Sequence, residues 1–173
     1  MFKYFLHIIL LVALFSCEEE KPKEKELNMP TSKESSEMNK AWVKKEYKLI
    51  ENYIERNQWE VQTSGTGLNY LIYKEGSGEE VNSGDEVMID FKITLLDGTV
   101  CYSTDETGPV PFIVDKDNVE SGLHEGVSYM RVGDKAKLII PSYLAHGLAG
   151  DLNKIPMQST LIYDVSVLGV SKY

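Results

Sequence analysis

Residues 138–147, LIIPSYLAHG, place one of the chain's three histidines just after a β-branched run that stops at a proline. An imidazole there could act in catalysis, ligate a metal ion, or simply pack. Neither His146 nor His124 has a cysteine or a second histidine at metal-ligand spacing, and His7 lies in the apolar N-terminus. The sequence also shows no paired catalytic carboxylates and no Ser/His/Asp set. A metal site is therefore the least favoured interpretation.

The length and charge of the chain limit the function classes to consider. Its 173 residues suffice for one domain with a hydrophobic core plus extra segments. Lys and Arg number 18 against 27 Asp and Glu, giving a formal charge of -9 and a pI near 4.9. Such a charge repels phosphate backbones, so nucleic-acid binding is not expected.

Residues 1–16 predict a secretory signal peptide, because Lys3 precedes an apolar run too short to span a bilayer comfortably. Leu-Phe-Ser-Cys at residues 14–17 resembles the bacterial lipobox, which implies that Cys17 becomes the lipidated N-terminus. Cys101 would then be the only thiol, so no intrachain disulfide is expected. These features predict a lipid-anchored protein of the bacterial cell envelope, on the periplasmic or surface face of the outer membrane.

Residues 17–37 predict a disordered tether, because Lys, Glu, Ser and two prolines leave almost no apolar surface to bury. The three glutamates at residues 18–20 are either a lipoprotein sorting signal or a solvated charge run.

Residues 38–58 predict the N-terminal helix. Its apolar side chains form two adjacent stripes: Val43, Tyr47, Ile50 and Ile54, and beside them Trp42, Leu49 and Tyr53. This broad face packs on the domain that follows, or the segment 38–57 binds a second copy or a client protein.

Beyond residue 58 the periodicity becomes that of strands. Seven segments are predicted as strands: 59–63, 68–74, 87–95, 99–103, 110–115, 135–140 and 161–167. Asp97-Gly98 marks a hairpin turn, and residues 119–130 predict one short helix. The predicted fold class is α+β, an antiparallel sheet wrapped around one short helix, in a domain at residues 59–173.

Three segments of this domain resemble the FKBP-type peptidyl-prolyl cis-trans isomerases. They are SGDEVMIDFKITLLDGTV (83–100), ESGLHEGVSYMRVGDKAKLIIPSYLAHG (120–147) and IPMQSTLIYDVSVL (155–168). Their order and spacing extend the resemblance over residues 68–170. It implies an FKBP-like fold, clients that contain proline, and no cofactor or metal. The whole chain, from lipobox to terminal domain, also resembles gliding-motility-associated lipoproteins of Bacteroidota.

The chemistry of such a family needs neither a nucleophile nor a metal ion. Rotation about an X–Pro bond crosses a barrier of about 18–20 kcal/mol because twisting removes the amide resonance. The twisted amide has less charge separation than either planar form. A dry apolar pocket with a well-placed hydrogen bond therefore favours the twisted state.

The resemblance also implies which residues form the pocket. The catalytic positions are Phe91, His146, Ile155 and Tyr163, and the substrate-binding positions are Tyr102, Phe112, Val119, Leu123 and Glu120. Glu120 stands where the family usually has an aliphatic residue, and its functional group is the backbone N–H. Without the resemblance, the apolar members would be assigned to the core.

Two departures from the family pattern affect the expected activity. Cys101-Tyr102 replaces an aromatic-acidic pair, so the acidic residue is missing and modest turnover is expected. His146 replaces a tyrosine whose hydroxyl donates to the substrate carbonyl. A neutral imidazole N–H can donate in the same way, and activity would then change near pH 6.5. Alternatively, His146 is a loop residue exposed to water.

Three functions remain open from the sequence. The chain is an isomerase that helps exported and envelope proteins to fold, a non-catalytic chaperone that binds proline-containing segments, or a structural lipoprotein of a motility or secretion apparatus. Acceleration of cis-trans exchange separates the first from the second. A stoichiometric partner that is retained by pocket variants favours the third.

Overall fold

The structure is a computed structural model and describes residues 30–172. The predicted signal peptide, Cys17 and most of the predicted tether lie outside the described residues. Contacts place the described residues from Ser36 onward in one compact unit. Within residues 30–172, no helix combines the length and apolar character that a membrane crossing requires.

Helix α1 (Ser32–Asn57) begins at a capping box. The Thr31 hydroxyl accepts a hydrogen bond from the Glu34 N–H at 3.3 Å, and the Glu34 carboxylate accepts one from the Thr31 N–H at 2.8 Å. The helix therefore starts before the predicted position, residue 38, and residues 32–37 of the predicted tether are helical. The polar composition of this segment concealed the Thr-x-x-Glu signal.

The domain that follows contains, within the described residues, one antiparallel sheet of seven strands and a second helix, which confirms the predicted fold class. The elements are β1 (Gln62–Thr63), β2 (Asn69–Lys74), β3 (Glu86–Thr94), β4 (Val100–Ser103), β5 (Val110–Ile113), α2 (Ser121–Ser128), β6 (Lys135–Ile140) and β7 (Leu161–Ser171). The sheet order is β1-β2-β6-β7-β3-β4, and β5 pairs with the first half of β3. Strand β1 is shorter than the predicted segment 59–63.

The main core lies between α2 and the inner face of the sheet. Alternate residues of the long strands point into it: Val87, Ile89 and Ile93 from β3, and Leu161, Tyr163, Val165 and Val167 from β7. Two glycines let α2 lie directly on β6. A Cβ at Gly122 would be 2.4 Å from the Ile140 side chain, and one at Gly126 would be 2.4 Å from that of Leu138.

Helix α1 packs on the outer face of the same sheet. Ile50 contacts a second apolar cluster with Ile139 of β6 and Ile162 of β7, and Tyr53 and Ile54 pack against it. Strands β6 and β7 are therefore covered on both faces.

Only part of the predicted apolar face of α1 is used in this packing. Val43 and Tyr47, from the first predicted stripe, are 44% and 54% exposed, while Glu46 is buried. Binding of a second copy or a client through this helix stays a prediction.

Candidate functional site

Phe91 and Tyr163 form an aromatic pair across two neighbouring strands. Their ring centroids are 5.7 Å apart and the rings are tilted by 48°. Strand β3 pairs Phe91 with Val165 and Ile93 with Tyr163, so the two rings are diagonal neighbours on the inner face. Tyr163 is buried and Phe91 is partly exposed. The pair therefore extends from the core toward the surface.

The structure brings the other predicted apolar positions into the same cluster. Three of them are buried, namely Phe112 of β5, Leu123 of α2 and Ile155 of the loop between β6 and β7, while Val119 and Tyr102 are partly buried against the cluster. We call the set Phe91, Tyr102, Phe112, Val119, Leu123, Ile155 and Tyr163 the candidate pocket. Its partly exposed members, Phe91, Tyr102 and Val119, are the ones that a substrate can reach first.

His146 contacts Glu120 through its side chain. The Nε2 atom of His146 is 3.0 Å from the Oε1 atom of Glu120, and their side chains are 32% and 11% exposed. Glu120 precedes α2, but its carboxylate does not cap that helix. The prediction gave Glu120 a role only through its backbone N–H and did not anticipate this contact. His146 thus makes a contact with the protein while its side chain stays partly exposed, and its contact with a substrate stays a prediction.

The hydroxyl of Tyr163 belongs to the same polar group. Burial, together with the nearby carboxylate of Glu120, raises the pKa of Tyr163 well above its usual value. The hydroxyl therefore stays protonated at any physiological pH and can donate a hydrogen bond. Three polar side chains therefore lie beside an otherwise apolar cluster, namely those of Tyr163, Glu120 and His146.

Within residues 30–172, no hydrogen-bond acceptor binds the backbone N–H of Glu120. This N–H is therefore available as a donor. Its use by a substrate carbonyl stays a prediction.

Asp151, which the sequence did not single out, organises the loop that carries Ile155. The Tyr102 hydroxyl donates to Asp151 Oδ2, and Asp151 Oδ1 accepts the backbone N–H groups of Asn153 at 2.9 Å and Ile155 at 2.7 Å. Tyr102 stands at the sequence position where the family pattern has an acidic residue. In the structure its hydroxyl contacts a carboxylate that comes from this loop instead. The Asp-x-Asn spacing, typical of a side-chain-capped turn, was the available signal.

The environment of Asp151 favours its charged form. Burial opposes ionisation, but the hydrogen bonds from Tyr102, Ile155 and Asn153 and the charge of His146 outweigh it and lower the pKa of Asp151 to about 2. The carboxylate is therefore ionised wherever the protein is expected to work.

Cys101 is buried, and its Sγ atom lies 3.7 Å from the backbone oxygen of Lys154. Burial, with the charges of Asp151 and Asp97, raises the pKa of this thiol. A neutral, enclosed thiol is a packing group and not a nucleophile.

His124 has a structural role in the loop after β5. Its Nδ1 atom accepts the N–H of Asp115 at 2.9 Å, and its Nε2 atom is 3.0 Å from the backbone oxygen of Asp117. Both ring nitrogens are thus engaged. Between residues 30 and 172, no group of three His, Cys, Asp or Glu side chains is arranged to hold a metal ion.

The sequence and the fold of this domain match those of a known family. Residues 77–168 match the sequence profile of the FKBP-type peptidyl-prolyl cis-trans isomerase family. The chain belongs to this family.

Among the relatives, the FKBP-type isomerase FkpA of Escherichia coli (strain K12) is 40% identical over 110 residues, which are 64% of this chain and 40% of that protein. A probable FkpA of Neisseria meningitidis serogroup B is 36% identical over 111 residues, 64% of this chain and 40% of that protein. The chain thus spans about 40% of the length of these relatives.

Solved structures support the same fold. The crystal structure of FkpA from Escherichia coli superposes with a TM-score of 0.67 at 35% identity, covering 82% of this chain and 66% of that one. A peptidyl-prolyl isomerase from Pseudomonas syringae pv. tomato shares the fold with a TM-score of 0.67 at 24% identity, covering 77% of this chain and 96% of that one.

Proposed function

We propose that this chain is a peptidyl-prolyl cis-trans isomerase that assists the folding of exported and envelope proteins. Family membership supports the activity. The observation that carries the proposal is the assembly of the candidate pocket, in which Phe91, Ile155 and Tyr163 belong to one apolar cluster although they come from three separate parts of the chain.

The proposed mechanism is selective stabilisation of the twisted amide. The proline ring packs against Phe91, Ile155 and Tyr163, where few dipoles remain to solvate the planar, charge-separated amide. The Glu120 N–H is the donor for the substrate carbonyl oxygen. The Nε2 atom of His146 is engaged by the Glu120 carboxylate, so this ring can add a second donor only through Nδ1, when it is protonated. Each reduction of the barrier by about 1.4 kcal/mol speeds rotation about tenfold, so a modest preference for the twisted state is enough.

The test is an isomerase assay on the full chain in detergent with a series of Ala-X-Pro peptides. We expect the wild type to accelerate cis-to-trans exchange, and the double variant Phe91→Ala/Tyr163→Ala, once shown to be folded, to lose the acceleration. Tyr47→Ala, which removes a 54% exposed aromatic ring from α1, is the matched control and should retain it. A folded wild type that accelerates none of the peptides would contradict the proposal.

A second candidate function is binding of proline-containing segments without catalysis. It is favoured by Tyr102, which stands where the family pattern has an acidic residue and whose hydroxyl already donates to Asp151. This candidate predicts that the same peptides bind, by calorimetry, with no acceleration of exchange.

We also propose that Cys17 carries the lipid that anchors the chain in the cell envelope, with proline-containing proteins of that compartment as clients. The lipobox resemblance supports the anchor. The resemblance to the gliding-motility-associated lipoprotein (GldI) of Bacteroidota supports clients, or a structural role, in the motility or secretion apparatus. Incorporation of labelled palmitate into the wild type and not into Cys17→Ser tests the anchor.

A further inference from the structure

Glu46 of α1 is a buried carboxylate with an unusual set of partners. Its side chain is 2% exposed. Its oxygens accept hydrogen bonds from the Ser142 N–H at 2.7 Å, the Ser142 hydroxyl at 2.9 Å and the Thr160 hydroxyl at 2.7 Å. Among the ion pairs of residues 30–172, none involves Glu46. A buried charge is costly without such donors, so these three bonds are what hold it in place.

The partners of Glu46 are the two ends of the loop that joins β6 to β7. Ser142 follows the end of β6, and Thr160 precedes the first residue of β7. The loop between them carries His146, Asp151 and Ile155. One carboxylate from α1 therefore joins the start of this loop to its end.

Backbone hydrogen bonds connect Ser142 to the turn that contains His146. The carbonyl oxygen of Ser142 accepts the N–H groups of Ala145 at 3.0 Å and Gly147 at 2.8 Å, the residues on either side of His146. The Gly147 carbonyl in turn accepts the N–H of Gln158 at 2.8 Å, near the far end of the loop. A displacement of Ser142 therefore moves the turn that holds the imidazole.

We propose that Glu46 is a positioning residue of the candidate pocket: by binding both ends of the β6–β7 loop, it fixes the placement of His146 and Ile155. The proposal rests on the proposed function for its effect on catalysis. Glu46 lies outside residues 77–168, the part of the chain that matches the family profile. Helix α1 is thus a working part of the site and not only a spacer before it.

The experiment separates positioning from stability. Glu46→Leu fills the space but accepts no hydrogen bond, Glu46→Gln keeps one acceptor oxygen, and Thr160→Val removes only the bond to the returning end of the loop. Glu55→Gln, an exposed position on the same helix, is the matched control. Val81→Ala creates a core defect far from the loop in sequence and lowers global stability without touching Glu46.

Two readouts are measured on the full chain in detergent: hydrogen exchange of the Ala145 and Gly147 amides relative to Leu138 and Val165, and kcat/KM for an Ala-X-Pro peptide. In Glu46→Leu we expect the two loop amides to exchange about tenfold faster than in the wild type, with sheet amides unchanged. In the same variant kcat/KM should fall about tenfold, because a small displacement of site residues lowers the rate of catalysis strongly. Glu46→Gln should stay within about threefold of the wild type, and Thr160→Val should lie between.

The proposal is overturned if the loop amides of Glu46→Leu exchange no faster, relative to the sheet, than those of Val81→Ala. A wild type without isomerase activity would defeat the proposed function instead. In that case the exchange of the loop amides still decides whether Glu46 holds the loop.

Discussion

The Nε2 atom of His146 lies 3.0 Å from the Oε1 atom of Glu120. Each residue departs from the family pattern, in which a tyrosine and an aliphatic side chain occupy these positions. The structure shows that the two departures meet in space, one from the β6–β7 loop and one from the start of α2. A carboxylate and an imidazole in contact form a polar pair that neither substitution would make alone.

The two residues should act as a unit in catalysis. We expect Glu120→Gln and His146→Phe each to lower kcat/KM by about three- to tenfold, and the double variant to be little worse than either one, because neighbours in one contact are not additive. Isomerase assays of the four proteins measure this coupling. If the two effects multiply in the double variant, or if His146→Phe has unchanged rate and affinity, the pair has no joint role.

The loop around Asp151 should make the fold sensitive to acid. In the folded state the pKa of Asp151 is about 2, below the usual aspartate value of 3.8, so as the pH falls the unfolded state binds this proton first. The stabilisation is present above pH 4 and is lost as the pH falls toward 2. Urea unfolding followed between pH 7 and pH 2 should show this loss in the wild type.

Asp151→Asn tests this assignment. The variant should be less stable than the wild type at pH 7, and the difference between them should shrink as the pH falls. Asp105→Asn, at an exposed position after β4, should keep the wild-type slope. A constant difference between Asp151→Asn and the wild type at all pH values would contradict the linkage.

Gly150 should not tolerate a side chain, for two reasons that can be separated. Its φ is +67°, and a Cβ there would lie 2.3 Å from the backbone oxygen of Ile155. Gly108 has φ +79° with open space around it, so Gly108→Ala carries the backbone strain alone, about 1 kcal/mol. Gly150→Ala adds the steric conflict, about 1–3 kcal/mol more in the free energy of unfolding. Gly150→Ala should also lower isomerase activity by displacing Ile155. If Gly150→Ala and Gly108→Ala reduce the free energy of unfolding by equal amounts, the loop around Gly150 adjusts to the added side chain and the steric prediction is wrong.

The Cys101 thiol should be unreactive in the folded protein. It is 2% exposed, and burial raises its pKa. In a Cys17→Ser variant it is the sole cysteine, so labelling by a disulfide reagent reports on this site alone. We expect labelling at least about a hundredfold slower in buffer than in concentrated urea, since the reagent must wait for opening. Rapid stoichiometric labelling of the folded protein would show that the core around Cys101 is open.

The strands were predictable because burial on one face leaves a period of two in the sequence. In β7, Leu161, Tyr163, Val165 and Val167 are buried, and Asp164 and Ser166 are on the opposite face, as the alternation predicts. Membership of the candidate pocket was inferred from family positions rather than from pattern. Alternation alone cannot tell a core side chain from one that lines a site.

The contacts that organise the pocket edge were not predictable. Tyr102 and Asp151 are 49 residues apart, and Glu120 and His146 are 26 apart, with no local pattern that pairs them. On α1 the apolar stripes suggested that Val43 and Tyr47 face the domain, but the buried stripe includes the charged Glu46. A periodicity argument that counts only apolar residues overlooks a charged residue whose partners come from distant loops.

The same carboxylate also sets an order of events when the chain is made. Glu46 binds partners 96 and 114 positions further along the sequence, so its full set of bonds forms only after Thr160 has been synthesised. Until then the helix carries a charge that favours solvent over docking. Helix α1 is therefore synthesised well before the strands on which it packs, and the hydrogen bonds of Glu46 depend on residues that follow much later in the sequence.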